Sequence, residues 1–250
     1  MRIWAIADLH LSFGVPNKGM DVFGPKWDQH ADKIAGHWRA LIHPDDLVLI
    51  AGDISWAMRL PEVAPDLQWI DALPGTKVMI RGNHDYWWGS LKQMAEILPP
   101  SIHVIQNTAF HWKDVAVGGS RLWDTPEYAF GSISASEPTM RVPNNDPEQV
   151  VQEEMNAKIF NRELDRLKLS LKAMKPDAKV RIAMTHYPPI GLDLGVSRAS
   201  QILEEHRIDA CVFGHIHNLK AGRAPFGEAR GVRYYLTACD YLDFKPLIIM

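Results

Sequence analysis

Apolar residues along this chain gather into short runs, separated by polar stretches that often contain glycine. Such runs stand at 2–7 (RIWAIA), 46–52 (DLVLIAG), 77–82 (KVMIRG), 102–106 (IHVIQ), 114–119 (DVAVGG), 180–186 (VRIAMTH), 209–215 (DACVFGH) and 233–239 (RYYLTAC). Most are nearly continuous rather than alternating, which is the pattern of strands covered on both faces. Between them the spacing changes to that of helices. In 27–42, Ile34, Trp38, Leu41 and Ile42 share one helical face, and Pro25 stands just before it as a start signal. The stretch 146–174 predicts the longest helix, with Asp146 as cap, Pro147 in the first turn, and Lys172 and Lys175 near its end. A third helix is predicted over 197–206, capped by Ser197. Alternation of strands and helices predicts an α/β layered architecture. From Arg121 to Asn145 the chain is rich in Ser, Pro, Asn and Gly, and loops of that length are usually functional or mobile.

Composition narrows the class without fixing it. With 250 residues, 46% hydrophobic and 23% charged, the chain reads as one globular α/β domain over 1–250. A formal charge of -3 lacks the basic footprint of a nucleic-acid binder and speaks against such a partner. Cys211 and Cys239 are too few for a disulfide framework and lack CxxC spacing, so they read as buried small hydrophobes in a reducing compartment. The N-terminal residues run straight into a strand without a signal-peptide pattern, and no apolar run is long enough to span a bilayer. A cytoplasmic location away from membranes is therefore expected.

Candidate chemistry sits where the runs end. The first ends in Asp8 and His10, the second in Asp53, the third in Asn83, His84 and Asp85, and two later ones in His186 and in His215 with His217. A histidine pair at one strand end is common by chance. Ligands in open α/β sheets bind beyond the carboxyl ends of strands, so residues scattered through the sequence would converge on one crevice. Carboxylate, amide and imidazole together suit borderline cations such as Mn, Fe or Zn, and no cysteine joins the set. A carboxylate such as Asp53 can hold two cations through its two oxygens, the arrangement that clamps attacking and leaving oxygens in phosphoryl transfer. Two divalent cations among these residues would leave net positive charge, favouring a phosphate-bearing substrate.

Asp8-x-His10, Gly52-Asp53, Gly82-Asn83-His84-Asp85, His186 and Gly214-His215-x-His217, in this order, resemble the five motifs of the calcineurin-like metallophosphoesterase family. The resemblance implies a four-layer fold, a two-sheet β-sandwich flanked by helices, with a two-metal site at its edge. It implies one metal held by Asp8, His10, Asp53 and His217, and another by Asp53, Asn83, His186 and His215. It also implies hydrolysis of phosphate mono- or diesters, of small-molecule or nucleotide type, by attack of a metal-bridging hydroxide. His84 resembles the family's second catalytic group, which stabilises the transition state or protonates the leaving oxygen. Asp85 would either orient His84 or cap the following helix. Arg81 resembles the arginine that precedes this motif in the Ser/Thr phosphoprotein phosphatases and would either reach a phosphate oxygen or serve as an ordinary strand-end charge. The chain departs from the pattern at Trp56, where many members have an aspartate that orients the motif histidine, and it lacks the phosphoprotein phosphatases' Asp-Arg-Gly continuation.

Trp56, Trp87 and Trp88 follow metal motifs, either as an aromatic wall for substrate or as packing between helices and sheet. The loop Ser12 to Lys26, and the later one carrying Arg121, Trp123 and Arg141, are candidate substrate walls. His30, His37, His43, His103, His111 and His206 lack partner spacing and read as structural or exposed. Two rival functions share the motifs: a nuclease of the same family, and a scaffold that has lost catalysis.

Overall fold

The computed structural model describes residues 1–130, 147–219 and 226–250. One five-stranded mixed sheet has the order β11(Leu247–Ile248), β1(Ile3–Ile6), β2(Leu47–Ile50), β3(Thr76–Met79), β4(Ile102–Val104). The other, six-stranded and also mixed, runs β5(Ala109–Trp112), β6(Val115–Ser120), β7(Val180–Thr185), β8(Ala210–Phe213), β10(Val232–Leu236), β9(Glu228–Ala229). In both, the central strands are parallel and the antiparallel partners β11, β5 and β9 stand at the edges.

The continuous apolar runs are explained by what covers each face. Alternate residues of β1 to β3, among them Ile3, Ala5, Leu49 and Val78, pack against Val117, Ile182, Met184 and Val212 of the second sheet. The intervening residues, such as Trp4, Ile6 and Ile50, face α1(His30–Leu41) and α2(Leu60–Asp71) through Ile34, Trp38, Leu67 and Ile70. The outer face of the second sheet packs on α4(Pro147–Lys172) and α5(Arg198–Glu205) through Phe160, Leu167, Leu171, Ile202 and Leu203. Helix, sheet, sheet and helix therefore form four layers, as the resemblance implies. Ser197 caps α5 with a reciprocal Ser200 bond, as its position predicts. α2 and the short α3(Leu91–Ile97) are not evident from spacing, since α2 carries Pro61 and Pro65. Asp146, the proposed cap of α4, lies outside the described residues, as does Arg141.

Beyond the sandwich core the two sheets are stitched together just past their strand ends. Ala7 pairs with Ala238 in a parallel bridge, its N–H donating to the Thr237 carbonyl at 2.7 Å and its carbonyl accepting from Cys239 at 3.0 Å. This seam sets the end of β1 beside the ends of β8 and β10. Among the described residues no helix is long and apolar enough to cross a membrane.

Candidate metal centre

Six parallel strand ends meet at this seam. β1 delivers Asp8 and His10, β2 Asp53, β3 Asn83, β7 His186, and β8 His215 and His217. The sixth, β10, delivers Asp240, which the sequence reading passed over. Asp8, His10, Asp53, His186 and Asp240 are buried, while Asn83, His84, His215 and His217 are partly buried.

The backbone is strained where it presents these groups. Asp8 (φ 60°), His10 (45°), Asp53 (51°) and His215 (72°) all adopt left-handed conformations. Non-glycine residues adopt this region rarely, at a cost of order 1–3 kcal/mol each that the surrounding structure must hold in place. The flanking glycines act in two ways. Gly52, at φ 93°, makes the turn itself. Gly82 and Gly214 do not adopt positive φ; instead they clear space for carboxylates. A Cβ on Gly82 would stand 2.1 Å from Asp53 Oδ1, and one on Gly214 2.3 Å from Asp8 Oδ2.

Two groups of side chains have ligand atoms clustered as a cation requires: Asp8, His10 and His217, and Asp8, Asp53 and His186. Asp53 Oδ2 is 3.4 Å from His186 Nε2 and 3.8 Å from His10 Nε2, so this oxygen lies between the two sets. Asn83 Oδ1 is 2.6 Å from His186 Nε2 and 3.0 Å from His215 Nδ1. His217 Nε2 is 3.6 Å from Asp8 Oδ1. All seven residues expected as ligands are thus brought together.

The imidazoles are aimed by bonds on their far nitrogens. His186 Nδ1 contacts the Ala51 carbonyl at 3.0 Å, and His217 Nδ1 contacts Asp240 Oδ1 at 2.9 Å. Asp240 Oδ2 accepts from the Asn218 N–H. Holding one ring nitrogen with a carbonyl or carboxylate fixes the orientation of the other. His10 Nδ1, by contrast, is buried without a hydrogen-bond partner. Cys239 Sγ donates to the Asp8 carbonyl at 2.9 Å, so this thiol is engaged with backbone.

Electrostatically the site is divided. Burial pushes Asp8 up to about 7, against the pull of His217 and His186. Burial would also raise Asp53, yet His186, His10 and the His84 N–H carry it below the usual carboxylate range. Burial works against protonated His186 and His217, but Asp53 and Asp8 respectively, helped by hydrogen bonds that the rings donate to Asp53 and Asp240, bring both up to about 9. Burial drives His10 down to about 3 and His215 well below its usual value. Buried carboxylates that draw protons onto neighbouring imidazoles would equally favour a cation in those protons' place. The donor set and its clustered ligand atoms therefore fit metal ions.

His84 and Asp85 of the third motif, and Arg81 just before it, have distinct surroundings. The His84 N–H donates to Asp53 Oδ1 at 2.8 Å, while its ring lies 4.6 Å from the Trp56 ring and 5.7 Å from that of His10. Trp56 also stacks on His10 at 4.9 Å and directs its own N–H to Met20 Sδ, so an indole face packs at the position where the resemblance leads one to expect a carboxylate. Trp87 and Trp88 are core residues instead. Asp85 corrects an expectation: α3 is capped by Ser90, and among the described residues the Asp85 carboxylate makes no bond to the His84 ring. It accepts instead from the N–H groups of Ile54, Ser55 and Gly82 and from Trp87 Nε1, clamping the second and third motif loops together. Asp85→Ala would leave these donors unsatisfied. A loss of about 3 kcal/mol is expected, read as a melting-temperature fall of roughly 6–12 °C. Arg81 Nε donates to the Asp85 carbonyl at 3.2 Å.

A cleft of about 620 Å³ is lined by Ser12, Met20, Asp21, Trp27 and Asp28 among others, and the Trp27 ring lies 6.1 Å from that of His10. The unassigned histidines serve structure: His30, His37 and His206 contact backbone carbonyls, and His103 stacks on Phe110.

With this arrangement in place, comparison with known proteins is direct. The chain belongs to the calcineurin-like phosphoesterase family, whose model matches residues 1–219. Gene 66 protein of Mycobacterium phage D29 is 34% identical over 84 residues, which cover 34% of this chain and 40% of that relative. The chain therefore spans less than half of that relative's length. Among solved structures, a protein of unknown function from Aquifex aeolicus matches with a TM-score of 0.50 and 16% identity over 99% of this chain and 95% of the other. A Staphylococcus aureus protein described as a 5'-nucleotidase matches with a TM-score of 0.50 and 15% identity, over 94% of this chain and 48% of its own. These structures share the fold.

Proposed function

We propose that this chain is a single-domain, cytoplasmic metal-dependent phosphohydrolase that cleaves phosphate mono- or diesters of small molecules or nucleotides. Asp8, His10, Asp53 and His217 would hold one divalent transition-metal ion, and Asp53, Asn83, His186 and His215 the other, with Mn, Fe or Zn matching the donors. The observation that carries this reading is the convergence of buried carboxylates, an amide and imidazoles from separate strand ends, with Asp53 Oδ2 between two imidazoles. Two such ions, when bound, supply Lewis-acid activation of water and of the phosphoryl group. Asp53 would be the ligand common to both ions. His84 stands at the same rim, its ring nitrogens without a hydrogen bond among the described residues, where an N–H could donate to the leaving oxygen. The cleft beside Trp27 would receive the organic portion of the ester.

Metal analysis and turnover test the proposal together. Purified protein should carry about two equivalents of transition metal, hydrolyse p-nitrophenyl phosphate or bis-p-nitrophenyl phosphate, lose that activity on chelation and regain it with manganese. Metal-replete protein inert toward a panel of mono-, di- and cyclic phosphoesters would favour the scaffold reading. Asp240 offers a finer test. Asp240→Asn keeps the shape but removes the charge that orients His217, and metal affinity should fall by roughly 10- to 100-fold, measured by competition with a chromogenic chelator.

A further inference from the structure

Beside Arg81, residues just beyond β3 and β4 of the first sheet, the end of β6 in the second and α4 together line a small pocket of about 100 Å³. Its polar lining is dominated by Arg81, Arg121 and Arg166, with Glu163 as the one carboxylate among the described lining residues. Glu163 is nearly fully buried and serves two cations, Arg166 at 2.7 Å and Arg121 at 3.8 Å. That leaves the charge unbalanced: three guanidinium groups face a single carboxylate. Arg121 is held over the Trp123 ring at 4.4 Å, its Nε is buried without a hydrogen-bond partner, and its closest carboxylate is too distant for a hydrogen bond. Arg81 uses only Nε, toward the Asp85 carbonyl, and its Nη atoms have no hydrogen bond among the described residues.

Leaving the mostly buried Arg121 guanidinium short of acceptors is costly, and a guanidinium fork is shaped for the paired oxygens of phosphate or carboxylate. The volume is far below the roughly 300 Å³ or more of pockets that take whole organic ligands, so it suits one compact anionic group. The pocket lining is tied to the candidate ligand residues through the backbone. The Arg121 carbonyl accepts the N–H groups of His186 and Tyr187 at 3.1 and 2.9 Å, and Arg81 stands two residues before Asn83.

We infer that the pocket between Arg81, Arg121 and Arg166 is an anion subsite that takes a second phosphate-type group, so that the preferred substrates carry two anionic groups. The assignment of substrate class rests on the phosphohydrolase reading; the binding of an anion here does not. Two measurements separate them.

In the first, inorganic pyrophosphate is titrated calorimetrically into metal-free, chelator-treated protein. One equivalent should bind, with affinity reduced about tenfold in Arg166→Gln, the loss of one charge-assisted bond, and reduced again in Arg121→Lys, which keeps the charge but loses the fork. Glu163→Gln, which frees both arginines, should bind more tightly. Absence of binding, or equal affinity in the wild type and both arginine variants, overturns the subsite. In the second, metal-loaded protein hydrolyses alkanediol bisphosphates of two to six carbons and the matching monophosphates. At least one bisphosphate should show a kcat/KM some tenfold higher than its monophosphate, and Arg166→Gln should erase that preference. Turnover without any such preference overturns the substrate class. Absence of all turnover counts against the phosphohydrolase reading alone, leaving the calorimetric result to stand on its own.

Discussion

Replacing Asp53 with Asn is expected to reduce turnover by roughly 10³-fold or more, since removing a ligand shared by two cations forfeits several kcal/mol of transition-state stabilisation. The geometry concentrates the effect in this one side chain. Its Oδ2 lies within 4 Å of both His10 Nε2 and His186 Nε2, while Oδ1 accepts the His84 N–H. An amide halves the acceptor capacity and introduces a donor facing other donors. It also removes the charge that draws protons, and by the same token cations, toward His186. Elemental analysis should find less than the full metal complement, and p-nitrophenyl phosphate hydrolysis should fall with it. Full metal occupancy with an unchanged rate would refute the bridging assignment.

His84→Ala is expected to behave differently, losing roughly 10²- to 10⁴-fold in kcat, the usual contribution of a positioned acid or hydrogen-bond donor, while keeping its metal. The contact between this residue and Asp53 runs through the main-chain N–H, which alanine retains. What disappears is the ring packed on Trp56 and projecting beside His10. Metal content equal to wild type together with a large fall in kcat would support a catalytic role; loss of metal in parallel would make His84 a structural part of the centre instead.

The ligand cluster was legible because its logic is local to each strand end. An apolar run followed by Asp, Asn or His needs no knowledge of partners, and seven residues could be proposed from that rule and the motif resemblance. Asp240 obeys the same rule at the end of β10, and was missed because the run was read as ending at Cys239. The roles of Asp85 and Trp56 were not legible in the same way. Asp85 clamps the backbone of Ile54 and Ser55, about thirty positions earlier, and backbone N–H groups leave no trace in side-chain patterning. The Trp56 face takes over a position usual for a carboxylate by packing, a substitution of one physical interaction for another. At the level of the fold, continuous apolar runs imply cover on both faces but do not say whether sheet or helix supplies it. The edge strands β5, β9 and β11 are short or polar, and α2 begins in a proline-rich stretch, so neither carried a strong periodic signal.

The bridge from Ala7 to Ala238, and the Asp8 carboxylate on the His215 N–H across 207 positions, join the two extremes of the described chain. Closing so long a loop is entropically demanding and comes late when nearer pairings can form first. The residues proposed as metal ligands are accordingly expected to come together late as the polypeptide folds, so that a half-folded molecule would lack the complete set. Cations captured there would then act mainly as a brake on unfolding rather than as a template for folding.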